Sequence, residues 1–152
     1  MNQLTLPLHG ECRCAKVTLR ITAAPLLTMA CHCKGCQRMS SSDYSLSAAV
    51  PTEGFEVTQG EPVIGGLHGP LQHYFCGYCM TWMFTRPPGM DWFVNVRAPL
   101  LDQAEHLAPY IETCTQEKLP WAVTPAVRSY PSFPPLDEFP KLIEAYAKLR
   151  AG

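Results

Sequence analysis

The sequence predicts a mainly β protein finished by one C-terminal helix, and three observations predict it. Residues 12–97 divide into runs of about five residues in which apolar and polar side chains alternate, bounded by glycine, proline and serine. Beyond residue 98, prolines at 99, 109, 120, 125, 131, 134, 135 and 140 forbid a continuous sheet or helix. The last segment then recovers a helical period, with Phe139, Leu142, Ile143, Tyr146 and Leu149 on one face and Lys141, Glu144, Lys148 and Arg150 on the other.

In chain order, residues 16–22 alternate Val17, Leu19 and Ile21 with polar partners, the pattern of a half-buried strand, and Ala23-Ala24-Pro25 ends it. Leu26 to Ala30 is a short apolar run leading into a cysteine-rich segment, where Lys34 to Met39 can form one helical turn. Ser40, Ser41, Ser42 and Asp43 break the pattern. Tyr44 to Val50 reads as a strand closed by Pro51, and Phe55-Glu56-Val57-Thr58 as another closed by Gly60. Gly65-Gly66-Leu67-His68-Gly69-Pro70 is a turn. Leu71 to Phe75 and Thr81 to Thr85 make a hairpin with a cysteine pair at its tip, and Trp92 to Val96 is one more strand. The Pro-rich stretch is expected to wrap over the β core with Trp121, Tyr130 and Phe133 as anchors. The terminal helix is expected to dock on that core through Leu142, Ile143, Tyr146 and Leu149, with Asp137 as N-cap, Pro140 in the first turn and Gly152 after the end.

The chain has 152 residues, 47% of them hydrophobic, with 12 basic and 13 acidic side chains and a net charge of -1. That suffices for one domain with a real core, and the balance gives no electrostatic footprint for a nucleic acid. No apolar run approaches the ~18–20 residues of a membrane span, and the first residues lack the charged and apolar regions of a secretory signal. Eight cysteines in such a chain suggest a reducing, cytoplasmic setting. Closely spaced thiols are there more often metal ligands or redox groups than disulfides.

Seven of those thiols fall into three groups: Cys12 and Cys14, Cys31, Cys33 and Cys36, and Cys76 and Cys79. A C-x-x-C turn, or a C-x-C pair on one side of an extended segment, can aim two sulfurs at one ion, and thiolate is the ligand zinc prefers. Cys31, Cys33 and Cys36 can close on one ion locally. The two remaining pairs, both at strand ends, would supply four thiolates, a closed set that leaves no position for substrate and marks a structural zinc. Three protein ligands with an open fourth position is instead the layout of a catalytic zinc. Two zinc ions per chain are expected, the second the weaker and partly lost on purification. Lys34 and Arg38, beside the triple, are candidates to meet a substrate carboxylate, against a reading as solvated charges. His32 is expected to turn its ring away from the ligands on either side, His73 to be a sheet residue, and Cys114 to be a free thiol.

Gly10-Glu11-Cys12-Arg13-Cys14 with Val17, Cys31-His32-Cys33 with Cys36-Gln37-Arg38, and Phe75-Cys76 with Cys79 together resemble the glutathione-dependent formaldehyde-activating enzyme family, also named for centromere protein V. Val50-Pro51, Phe55 to Glu61 and Pro120-Trp121 match it in order. The resemblance covers roughly residues 8–122 and departs at Ala15 and Met80, where glycine is usual, and at Ser40-Ser41, where the family has Ser-Gly. It implies a tent-like arrangement of antiparallel sheets around zinc, with Cys12, Cys14, Cys76 and Cys79 matching a structural zinc and Cys31, Cys33 and Cys36 an active-site zinc. It also implies a carbon–sulfur lyase type of activity, the reversible joining of formaldehyde and glutathione. The expectation is thus one zinc-binding domain over residues 1–152, with a family-like core at about 8–122 and a Pro-rich wrap and helix at about 123–150. Its small-molecule partner would be a thiol such as glutathione, with no nucleic acid and no membrane. The alternative is a zinc-stabilised binding module without catalysis, which a fourth protein ligand on the second zinc would favour.

Overall fold

In a computed structural model, residues 3–66 and 69–151 are described. Two sheets enclose the main core. The smaller has the order β1-β2-β5, all antiparallel, from β1 (Leu8–Glu11), β2 (Thr18–Ile21) and β5 (Phe55–Gln59). The larger adds β3 (Leu27–Cys31), β4 (Ser45–Pro51), β6 (Val63–Gly65), β7 (Gln72–Phe75), β8 (Trp82–Arg86), β9 (Phe93–Arg97), β10 (Ile111–Thr113) and β11 (Arg128–Ser129). Its order is β11-β10-β3-β4-β9-β8-β7-β6. Two helices complete the fold, α1 (Lys34–Ser40) and α2 (Phe139–Ala151).

Strand alternation decides what goes inside. Leu8, Leu19 and Ile21 of the small sheet pack against Ala48, Val50, Phe84, Val94 and Val96 of the large one, all essentially without solvent contact. Burying such side chains is worth roughly 1.5–3 kcal/mol each for the larger ones. The residues between them in sequence necessarily face the other way. On β4 these are Ser45, Ser47 and Ala49, and on β9 Asn95 and Arg97. That second face of the large sheet is covered at one end by α2, where Leu142 and Tyr146 pack on Leu27 and Ile111.

The mainly β class and the terminal helix are as the sequence indicates. The strands expected near 16–22, 44–50, 55–58, 71–75, 81–85 and 92–96 are present as β2, β4, β5, β7, β8 and β9. Leu26 to Ala30, read only as an apolar run, supplies β3 in the interior of the large sheet; its Leu27, Thr28 and Ala30 are all buried, so it lacks a polar face to betray it. β1 carries Gly10, where a Cβ would stand 2.9 Å from Leu101 Cδ2 and 3.1 Å from Leu100 O, so a larger residue would need its neighbours to shift.

The Pro-rich stretch holds only strands of three and two residues, β10 and β11. Yet β10 pairs parallel with β3 and with β11, so the large sheet is mixed rather than purely antiparallel. Of the expected anchors, Tyr130 packs beside the α2 cluster, whereas Trp121 and Phe133 are 68% and 61% exposed. Trp121 is held instead by its indole N–H, which donates to Asp43 Oδ1 at 3.2 Å. Asp137 does not cap α2; it lies inside a 3₁₀ turn, Leu136–Glu138, that runs straight into the helix. Leu149 does not dock, being 55% exposed, and Ile143 is half-buried. Leu67 and His68 of the expected glycine-rich turn, the first two residues, and Gly152 lie outside the described residues.

The packing of α2 gives a measurable asymmetry. Leu142→Ala is expected to lower unfolding free energy by about 2–4 kcal/mol. Leu149→Ala should stay within about 0.5 kcal/mol of the parent. Urea denaturation of the two variants checks this, and equal losses would contradict the docking face.

Candidate metal centres

The first cysteine cluster is made by the tips of two hairpins built alike. Between β1 and β2, Cys12 N–H donates to Val17 O at 3.1 Å and Ala15 N–H returns to Cys12 O at 2.9 Å. Between β7 and β8, Cys76 N–H donates to Thr81 O at 3.0 Å and Met80 N–H to Cys76 O at 2.9 Å. In each tip a backbone N–H also reaches a sulfur: Val17 N–H donates to Cys12 Sγ at 3.3 Å and Cys79 N–H to Cys76 Sγ at 3.4 Å. Such donors stabilise thiolate. Closing each turn requires a left-handed residue, and the two that take it are Ala15 (φ 64) and Met80 (φ 59). These are two of the three positions where glycine is usual; the third, Ser41, is left-handed as well (φ 51).

The tips meet. Cys12 and Cys14 sulfurs are 3.6 Å apart and Cys14 and Cys76 sulfurs 3.8 Å, and all four sulfurs, with Cys79, lie within 4.8 Å of one another. With Zn–S bonds of about 2.3 Å, the edge of a tetrahedron is about 3.8 Å. The donor set therefore fits a metal ion of zinc's size and preference. Arg13 N–H donating to Thr81 Oγ1 at 3.1 Å and the Lys16 ammonium 3.8 Å over the Tyr78 ring tie the tips further.

The second cluster is local. Cys31 ends β3, Cys33 caps α1, and Cys36 sits in its first turn, where its N–H donates to Cys33 Sγ at 3.3 Å. The three sulfurs lie within 4.8 Å of one another and are half-buried. Cys31 is drawn down to about 5, mainly by the hydrogen bond from the Cys36 thiol; the same contact pushes Cys36 up. Three sulfurs this close form a donor set that could hold a soft cation.

The cluster is supported from a distant part of the chain. His32, between two of the cysteines, is fully buried and turns its ring to Glu112, with Nε2 2.8 Å from Oε1. Lys118 Nζ donates to the same oxygen at 2.8 Å and Ser129 Oγ to the other at 3.0 Å. Burial works to raise the Glu112 carboxyl, but Lys118, Ser129 and His32 together hold it below the usual carboxylate range. The Gln37 amide donates to His32 O at 2.7 Å and to Glu117 O at 3.0 Å. The His32 ring thus points away from the sulfurs, and His73 is a sheet residue bonded to Thr85 Oγ1 at 2.9 Å. Cys114 is free and buried, but it follows Thr113, the register partner of Cys31. Burial first, and then the charge and hydrogen bonding of Cys31, push its thiol up to about 12. Lys34 and Arg38 stand exposed on α1 and make no ion pair with any described residue.

Two residues beside this cluster escape a reading by spacing, Glu112 and Arg97. Each is a lone charge in a short alternating run, Ile-Glu-Thr and Phe-Val-Asn-Val-Arg, and that isolation is the only sequence signal they give. Two surface clefts, of about 300 Å³ beside Tyr110 and Tyr146 and about 420 Å³ beside His9 and Asp102, are lined by none of the cysteines.

Two sheets that meet at a four-thiol cluster, with a three-thiol cluster at the start of α1, define a mainly β protein whose cysteine clusters could hold metal ions. The chain belongs to the glutathione-dependent formaldehyde-activating enzyme family, whose profile matches residues 7–117. Its fold is similar to the crystal structure of a Rhodobacter sphaeroides protein solved as a structural-genomics target, at 18% identity and a TM-score of 0.50 over 62% of this chain and 87% of that one. Among curated proteins, none is significantly similar to it.

The two clusters predict different responses. Cys76→Ser breaks the link between distant hairpins and is expected to leave little folded protein. Cys33→Ser should remain folded, with the four-cysteine metal retained and the second weakened. Elemental analysis and circular dichroism distinguish them, and equal loss of soluble protein would contradict the division. At the strained turn, Met80→Gly is expected to raise stability by about 0.5–1 kcal/mol, since relief of a left-handed residue (about 1–2 kcal/mol) exceeds the entropy that glycine adds. An unchanged or lower melting temperature would mean that the turn does not carry this strain.

Proposed function

We propose that the chain is a zinc-dependent carbon–sulfur lyase-like enzyme that joins a glutathione-type thiol to a small aldehyde, and reverses that reaction. Family membership supports a glutathione-related, formaldehyde-activating function. The observation that carries the finer reading is the unequal pair of clusters, one of four sulfurs and one of three. In this reading Cys12, Cys14, Cys76 and Cys79 hold a structural zinc, and Cys31, Cys33 and Cys36 hold a second. Bound there, zinc would lower the pKa of an incoming thiol and so supply thiolate at neutral pH.

The chain's own residues do the rest. The three cysteines, fixed by β3 and α1, mark the place where a substrate sulfur is received, and the His32–Glu112–Lys118 network keeps their loop from shifting. Lys34 and Arg38 stand on the same short helix, free to meet a carboxylate of the thiol. In the forward direction the sulfur bonds to the carbonyl carbon and the thiol proton ends on the carbonyl oxygen, giving S-hydroxymethylglutathione when the aldehyde is formaldehyde. Free thiols throughout suit a reducing compartment such as the cytoplasm.

A second reading, a zinc-stabilised binding module without catalysis, is favoured by one observation. Cys114 follows Thr113, the register partner of Cys31, and its thiol interacts with that of Cys31; it lies outside the group of three mutually close sulfurs and would have to move in to close it.

Metal analysis with calorimetry separates the readings. Protein made with ample zinc is expected to carry up to two equivalents and to bind glutathione only while the second site is filled. It should also accelerate S-hydroxymethylglutathione formation above the uncatalysed rate. Binding that persists after the metal is stripped would remove the metal from the mechanism. Metal-dependent binding without acceleration would keep the site but reject formaldehyde.

A further inference from the structure

The second face of the large sheet holds one cation that the proposed chemistry has not used. On β9, Val94 and Val96 enter the core, which leaves Asn95 and Arg97 on the face that also carries Cys31. Register lines these residues up: Cys31 pairs with Ser45 on β4, and two residues along β4, Ser47 pairs with Arg97. The pairing of β7 with β8 shifts register between Tyr74 and Phe75, so that Phe75 faces Trp82 while Tyr74 faces Phe84. This bulge turns Trp82 to the side of Thr85, to which its indole N–H donates at 3.3 Å.

Arg97 lies against that indole, its guanidinium carbon 4.0 Å from the ring centroid. Its Nε is buried without a hydrogen-bond partner, and Asn95 Oδ1 is buried and unpartnered too. No carboxylate pairs with Arg97 among the described residues, whereas Lys118 of the neighbouring network has Glu112. The negative charge that acts on it comes from the sulfurs of Cys36 and Cys31; burial draws its pKa down, those sulfurs oppose the fall, and the net result is about 10. His73, which stands edge-on to the same indole, is held below its usual pKa by burial and by Arg97, so it adds no second cation.

A part-buried guanidinium whose Nε is sealed from water and which has no counter-ion is costly and is seldom left so. Balancing the thiolates would need only a point charge. A planar fork flattened on an aromatic ring, with its hydrogen-bonding edge uncommitted, is the arrangement that receives a carboxylate in two-point contact. β3 and β9 flank β4, so Cys31 and Arg97 stand on strands about 10 Å apart. That gap suits a molecule whose sulfur and carboxylate are separated by a few bonds.

We infer that Arg97, seated on Trp82, is the specificity-determining residue of the three-cysteine site and selects thiols that carry a carboxylate. This rests on the thiol reading above and extends it to the substrate's acid group. The recognition is placed on the sheet, rather than on α1 alone.

Calorimetry on the zinc-loaded protein with glutathione and with its diethyl ester tests this without any mutation. The acid is expected to bind roughly tenfold tighter or more than the ester, as one charged hydrogen-bonded contact implies. Arg97→Gln should erase that preference by weakening the acid alone, with zinc content unchanged, and Arg97→Lys should restore part of it. Equal affinity for acid and ester in the parent protein would overturn the inference. So would an Arg97→Gln protein that weakens both ligands alike or loses the second zinc, since Arg97 would then serve charge balance only. If neither ligand binds the parent protein, the thiol reading itself fails, and this inference with it.

Discussion

The contact on which the structure depends is the meeting of two hairpin tips through four sulfurs. The small sheet and the large sheet touch mainly through aliphatic side chains, a non-directional attraction that would tolerate sliding. A metal ion held by Cys12 and Cys14 from one hairpin tip, and Cys76 and Cys79 from the other, would remove that freedom at one corner. Zinc in such a site contributes apparent binding energies of roughly 10–16 kcal/mol. That matches or exceeds the whole stability of a typical domain, about 5–15 kcal/mol. Against that scale, the left-handed backbone at Ala15 and Met80 would be a small cost.

Local spacing brings the three sulfurs of the second centre together, and remote contacts hold them in place. Its C-x-C segment lies on β3, and β10 returns from 80 residues downstream to pair with that strand and offer Glu112 to His32. The buried histidine is thus a support for the cysteines on either side of it. Around the same centre the charges are uneven. Lys118 is spoken for by Glu112, Lys34 and Arg38 are in water, and Arg97 is partly buried beside the thiols.

How much of this could be read from the sequence follows from the range of the forces involved. Both thiol groups were legible because metal ligands obey short spacings, and the six alternating strands because one face of each meets the core. β3 was not, because it is buried on both faces and loses the alternation that would mark it. β10 and β11 were not, because strands of three and two residues carry too little pattern and are fixed by partners far away. Trp121 and Phe133 show the limit of size as a guide, since large aromatic side chains in a Pro-rich stretch read as anchors yet lie in solvent. The helix face was right in its centre and wrong at Leu149, where the helix runs past the surface it covers.

The parallel pairing of β3 with β10 has a consequence for the order of events during synthesis. A chain made from its N-terminus presents Cys31, Cys33 and Cys36 long before Glu112, Lys118 and Ser129 exist. For that interval the three thiols are close in sequence, unsupported, and open to any soft cation or oxidant in the surroundings. Contacts this distant in sequence are slow to form because the intervening loop must first be closed. The four-thiol corner needs nothing beyond the β7–β8 hairpin, which ends at Arg86, and can be complete earlier. On this order the nascent chain would bring its four-thiol cluster together before the three-thiol cluster gains its support.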